Sequence, residues 1–326
     1  MRLQEVFMFI LSSRIVTAVA VLVLLLFPSQ HISAYAIESG LQRGAAGEAA
    51  SGLLYAANYG SNEIDIFPAG VLNPSKIGTI TQGVDLPIDI AADKKGTLYV
   101  ANTGHRPGNV AVYLAGSRVP SEILKMPARN AHPDRIGVGP HGTLYVVTND
   151  ESTHYFIVEY DPGVTSPSRI VHVPYVTGPC CASVRGIAFD SAENMYLNWG
   201  EPEDCCGYGI LLYPPRARKP TSYFGFGYGY ANGALAVDSN DNIYVGDGSY
   251  EAIRVSRLPG HGGYRRNVGA KLTYGGYFTL FEPENYLYAY TSSGIQIFNS
   301  QTGGALGGPF AEGSSYSGIA AYPPSY

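Results

Sequence analysis

The chain has 326 residues, 45% of them hydrophobic and only 14% charged, with a formal net charge of −5. So few charges fit sheets covered on both faces, and the lack of any basic stripe to track phosphates argues against a nucleic-acid partner. Tyrosine, at 26 copies, points instead to large amphipathic side chains packed between sheets.

The N-terminal stretch begins with Arg2 and Arg14, continues as the uncharged apolar run Ile15–Phe27, and reaches a small-x-small pattern at Ala34-Tyr35-Ala36. Residues 1–36 therefore read as a secretory signal peptide. The apolar run is shorter than the roughly 20 residues of a membrane span, so no stable span is expected after cleavage. An uncleaved anchor is the alternative, because Val6–Leu11 adds a second apolar patch. Either way the rest of the chain is expected to be exported, secreted or periplasmic. Loss of Arg2, Arg14 and Glu5 with the leader makes it one unit more acidic. Residues 37–52 lack an apolar period and read as a flexible lead-in.

From there a five-residue pattern returns six times: LYAAN (Leu54–Asn58), LYVAN (Leu98–Asn102), LYVVT (Leu144–Thr148), MYLNW (Met195–Trp199), IYVGD (Ile243–Asp247) and LYAYT (Leu287–Thr291). The period of roughly 44–51 residues is that of a bladed β-propeller. Most copies follow a short apolar run and a turn such as DKKG (Asp93–Gly96), DSAEN (Asp190–Asn194) or DSNDN (Asp238–Asn242). Asp, Asn and Gly tolerate tight-hairpin geometry, so each pair of runs reads as an antiparallel hairpin. A third alternating strand follows, as in NVAVY (Asn109–Tyr113) and FIVEY (Phe156–Tyr160), and then a less regular fourth. Residues 53–326 are thus read as an all-β, six-bladed β-propeller with four antiparallel strands per blade, leaving no room for a second domain.

The two ends complement each other. GIAAY (Gly318–Tyr322) looks like the first strand of a blade, yet no LYV segment follows it, whereas Leu54–Asn58 has no clear first strand before it. The C-terminal strand is expected to pair with the N-terminal blade and close the ring, which removes exposed edges at the seam.

Cys180-Cys181 precede the first strand of blade 4, and Cys205-Cys206 lie between its second and third strands. Those loops emerge on one face, so disulfides are expected in an exported chain. A tetrathiolate zinc site is the alternative, although C-C pairs suit four ligands poorly. On the same face Arg135 (DRIGV) and Arg185 (VRGIA) start the innermost strands of blades 3 and 4. Two guanidinium groups there could clasp a carboxylate or phosphate, or simply pair with a local acid such as Asp134. Tyr228 and Tyr230, from YFGFGYGY, could join Trp199 and Tyr250 as a stacking platform for a sugar or aromatic ligand.

LPIDIAADKKGTLYVANTG (Leu86–Gly104) and GALAVDSNDNIYVGDGS (Gly233–Ser249) resemble NHL-type repeats. The resemblance spans nearly all of 53–326 and implies a six-bladed propeller that serves as a binding platform. More distantly the chain is similar to gluconolactonase-like propellers, which hold a divalent metal in the channel with Glu, Asn and Asp. Asp89, Asn102 and Asp247 are the matching candidates for a calcium or zinc ion. The innermost positions, read as Asp89, Arg135, Gly186, Ala234, Phe278 and Gly318, offer no Glu. Two readings follow. The preferred one is an exported, non-catalytic, monomeric binding propeller without a cofactor, taking a small ligand, glycan or protein through Arg135, Arg185, Trp199, Tyr228 and Tyr230. The alternative is a metal-assisted hydrolase or lyase.

Overall fold

A computed structural model describes residues 52–127, 131–149, 154–174, 183–200, 208–225, 233–247, 252–257, 266–269 and 276–325. The signal-peptide reading, the lead-in short of Gly52, the four cysteines, Tyr228, Tyr230 and Tyr250 lie outside the described residues.

The first blade holds β1 (Gly52–Asn58), β2 (Glu63–Ala69) and β3 (Gly78–Ile80). The second holds β4 (Pro87–Ala92), β5 (Leu98–Asn102), β6 (Asn109–Tyr113) and β7 (Glu122–Lys125), and the third β8 (His132–Val138), β9 (Leu144–Asn149), β10 (Tyr155–Tyr160) and β11 (Arg169–His172). The fourth holds β12 (Ser183–Phe189), β13 (Met195–Gly200), β14 (Tyr208–Tyr213) and β15 (Ser222–Gly225). The fifth has β16 (Leu235–Val237), β17 (Asn242–Asp247), β18 (Ala252–Arg257) and β19 (Arg266–Gly269). The sixth has β20 (Phe278–Phe281), β21 (Tyr286–Thr291), β22 (Gly294–Asn299) and β23 (Ala305–Phe310). The last strand, β24 (Tyr316–Tyr322), pairs antiparallel with β1 and makes the first blade four-stranded in the order β24-β1-β2-β3. The chain is a β-propeller of six four-stranded antiparallel sheets, closed as the sequence predicts.

The hairpin turns show why aspartate opens them. Asp190 Oδ1 accepts the amides of Ala192 at 3.0 Å and Asn194 at 2.8 Å, and Asp238 Oδ1 accepts those of Asn240 and Asn242 at the same two distances. Each side chain thereby imitates a backbone turn. The recurrent tyrosine of the next strand secures that turn from inside: Tyr196 donates to Asp190 Oδ2 at 2.9 Å and Tyr244 to Asp238 Oδ2 at 3.1 Å. DSNDN is therefore a hairpin turn whose carboxylate is occupied by its own amides.

Between the blades lie six apolar clusters among the described residues, one at each junction of the ring. The seam is one of them: Leu54, Ile319 and Ala321 of the first blade pack on Phe281, Tyr288 and Phe310 of the sixth. Closure thus buries apolar surface as well as pairing a strand.

Every junction also carries a polar tie. Ser317 Oγ donates to the Pro87 carbonyl, Asp89 Oδ2 accepts the Ile136 amide at 3.0 Å, and Arg135 Nε donates to the Arg185 carbonyl at 2.9 Å. Asn198 Nδ2 donates to Gly233 O at 2.8 Å, Ala234 N to Gly276 O at 3.1 Å, and Ala321 N to Thr279 Oγ1 at 3.4 Å. Each satisfies a backbone group that a sheet ladder cannot reach across blades.

Candidate functional site at the channel mouth

The innermost strands enclose an axial cavity of about 130 Å³ whose charged lining residues are Asp89, Arg135 and Arg185. Their placement follows from a repeated bulge. In β24, β4, β8 and β12 the register slips by one, leaving Ser317, Ile88, Asp134 and Arg185 as the extra residue. Such a bulge re-aims side chains at a sheet end. Arg135 is the paired residue after its bulge, opposite Val147, whereas Arg185 is the bulged residue itself.

The register also corrects one inner position. Phe278 pairs with Ala289, the place that Ile90 takes opposite Val100, and it is buried in the junction between blades 5 and 6. Tyr277, whose carbonyl accepts the Tyr290 amide at 2.9 Å, holds the inner position of the sixth blade. The inner set is therefore Gly318, Asp89, Arg135, Gly186, Ala234 and Tyr277. Counting back from the EPEN turn to the LYAYT strand could have found Tyr277.

Arg135 is only 6% exposed, and its Nε and Nη1 are both employed. Besides the Arg185 carbonyl, its guanidinium reaches Asp134 Oδ1 at 3.1 Å, and its Cζ lies 5.6 Å from the Tyr277 ring centroid. Burial opposes its charge, but the Asp134 and Asp89 carboxylates hold its pKa above the ordinary arginine value. Tyr155 bonds the same Asp134, and burial, reinforced by that carboxylate, pushes its hydroxyl upward. Arg135 thus takes the simpler role expected for it, pairing with Asp134.

Arg185 differs. Its backbone carbonyl is held by Arg135, while its side-chain Nε is buried with no hydrogen-bond partner among the described residues. A buried donor without an acceptor costs free energy. Across the mouth, burial pushes the Asp89 carboxyl up to about 6, against the opposing pull of Arg135 and of the Ile136 and Ile90 amides.

The remaining candidates are placed elsewhere. Trp199 is 2% exposed and packs among Val147, Val184, Leu197 and Leu211 between blades 3 and 4. This corrects its expected place in an open stacking platform: it shares a strand face with Leu197, which points into the junction. Asn102 is 1% exposed, and both ends of its amide are used. Its Nδ2 donates to Gly83 O at 2.9 Å and Asn109 Oδ1 at 3.0 Å, and its Oδ1 accepts the Asp85 amide at 3.0 Å. Asp89 lines the cavity and Asn102 does not. The structure thus does not bring these two metal candidates together, because Asn102 is spent on the loop before β4. Asp247 ends β17, and its side chain lies outside the described residues.

No protein-family model matches the chain, and no curated protein matches it in sequence. Solved structures share its fold at 13% identity. A protein of unknown function from Bacteroides caccae superposes with a TM-score of 0.61, covering 83% of this chain and 98% of that one. A structure described as a nidogen/laminin complex gives 0.61 over 83% and 97%, and the hydrazine synthase of Kuenenia stuttgartiensis 0.57 over 77% and 74%. At such identity the likeness is one of fold alone.

Proposed function

We propose that the chain is an exported, NHL-type, non-catalytic binding propeller that recognises its ligand at the channel mouth, with Arg185 as the principal contact and Arg135 as the group that positions it. The observation that carries this reading is the buried Arg185 Nε without a partner among the described residues, beside a second arginine whose Nε and Nη1 bond within the protein. A protein that leaves a buried donor unsatisfied carries a cost that ligand binding can offset.

The metal-assisted alternative gains nothing from this geometry, since the amide of Asn102 is consumed by its own loop. Thermal-shift screening of the full chain against anions, glycans and neutral small molecules tests the binding reading. Hits should lose their effect in Arg185→Ala. Hits that persist unchanged would place the site elsewhere. Export is tested separately: the N-terminus of protein recovered outside the cytoplasm should be Ile37.

A further inference from the structure

We propose that the ligand group taken by the channel mouth is the carboxylate of a small monoacid, and that phosphate and sulfate are discriminated against. This rests on the binding reading above and adds the chemistry of what is bound.

The donor inventory sets the first limit. Arg135 commits its Nε to the Arg185 carbonyl and its Nη1 to Asp134, whereas Arg185 Nε has no acceptor among the described residues, so Arg185 has the more open donor edge. One planar fork matches one carboxylate edge.

Charge sets the second limit. Among the described residues, the charged ones lining the cavity are Asp89, Arg135 and Arg185, and Asp134 sits against Arg135 at 3.1 Å. With both carboxylates ionised these four described groups sum to zero, and with Asp89 protonated they sum to one positive charge. A monoanion suits that balance, whereas a dianion would crowd two further negative charges against Asp89 and Asp134.

Size sets the third. The cavity of about 130 Å³ is close to the engineered cavity of about 150 Å³ that accepts benzene. Behind the charged mouth the lining includes the small residues Ala91, Gly137, Ala188 and Ala236, which suits a short apolar body carrying the acid.

The test is calorimetric titration of the full chain with propanoate and benzoate, their amides, inorganic phosphate and sulfate. Arg185→Gln and Arg185→Lys are titrated alongside, with folding checked by circular dichroism. At least one acid should bind about tenfold or more tightly than its amide and than either inorganic anion, and Arg185→Gln should weaken it by about tenfold or more. Arg185→Lys, which keeps the charge and loses the fork, should fall between. Equal binding of acid and amide would overturn the inference, as would silence from both acids up to about 20 mM. Phosphate or sulfate binding as tightly would also overturn it while leaving the binding face standing. Loss of a neutral ligand in Arg185→Gln would preserve the site and refute its carboxylate chemistry.

Discussion

The Tyr316 hydroxyl donates to Asp65 Oδ2 at 2.7 Å in a buried contact joining the last strand of the chain to β2. Asp65 Oδ1 meanwhile accepts Lys76 Nζ at 3.0 Å, so both oxygens of a buried carboxylate are employed. Tyr316→Phe should cost about 1–3 kcal/mol in denaturant unfolding, the scale of a buried acceptor losing its donor. Deleting residues 316–326 should abolish cooperative unfolding, because β1 would lose its inner partner and the seam cluster of Leu54, Phe281 and Tyr288 would open. A truncated chain with an unchanged transition would refute ring closure as a source of stability.

Gly186 sets how closely blades 4 and 5 approach. A Cβ there would lie 2.6 Å from the Leu235 amide nitrogen and 2.9 Å from the Ala234 carbonyl carbon, both backbone atoms. Gly186→Ala should therefore destabilise by about 1–3 kcal/mol through forced backbone movement. A stability within error of wild type would show that the inner strands can separate freely.

The fold was legible because its signals are local: Tyr in every second strand, Asp opening the turns, and a first strand missing at one end and supplied at the other. The site was legible only in part. Strand alternation places residues on faces, but a one-residue bulge at Asp134 or Arg185 shifts which residue reaches the axis. That shift separates Arg135, locked in the ring, from Arg185, left with a vacant donor. The position of Trp199 was readable from its parity with Leu197, and Tyr277 was missed by one residue because β20 carries a different turn from the other blades. That Asn102 serves its own loop depends on Gly83 and Asp85, contacts that no spacing rule predicts.

Arg185 and Arg135 should respond oppositely to truncation of their charge. Arg185→Met removes an unsatisfied buried donor and should leave stability unchanged or raise it by about 1 kcal/mol. Arg135→Met strands the Asp134 carboxylate and frees the Arg185 carbonyl, and should cost about 3 kcal/mol or more. Urea titrations of both variants check this, and equal losses would show that Arg185 is structurally employed.

Asp89 gives a pH dependence of definite sign. Its folded pKa of about 6 lies above the ordinary carboxylate value, so between roughly pH 4 and 6 the folded state binds more protons than the unfolded one. Its contribution is fully present below the unfolded value and lost as pH rises through 6. The groups facing it are Arg135, which pulls the pKa down, and Asp134, which raises it. The stability of the wild type relative to Asp89→Asn should therefore fall across that window by an amount on the order of 2 kcal/mol. A constant difference between pH 4 and 7 would show that Asp89 titrates normally.

Buried phenols predict behaviour at alkaline pH. Burial pushes Tyr113 and Tyr160 up to about 12, and Tyr196 higher still with the help of Asp190. Spectrophotometric titration should show exposed tyrosines ionising near pH 10 and the remainder only at about pH 12 or on unfolding. These groups favour folding below pH 10, and their contribution disappears as pH rises through the folded values. A single transition of all 26 tyrosines near pH 10 in folded protein would contradict the burial.

A crystal structure of the full chain grown with benzoate or propanoate shows directly whether Arg185 holds the acid. A carboxylate oxygen should lie at about 2.8 Å from Arg185 Nε, inside the mouth bounded by Asp89 and Tyr277. Arg185 Nε bonded to a protein carbonyl, with the acid absent or seated on another face, would contradict it.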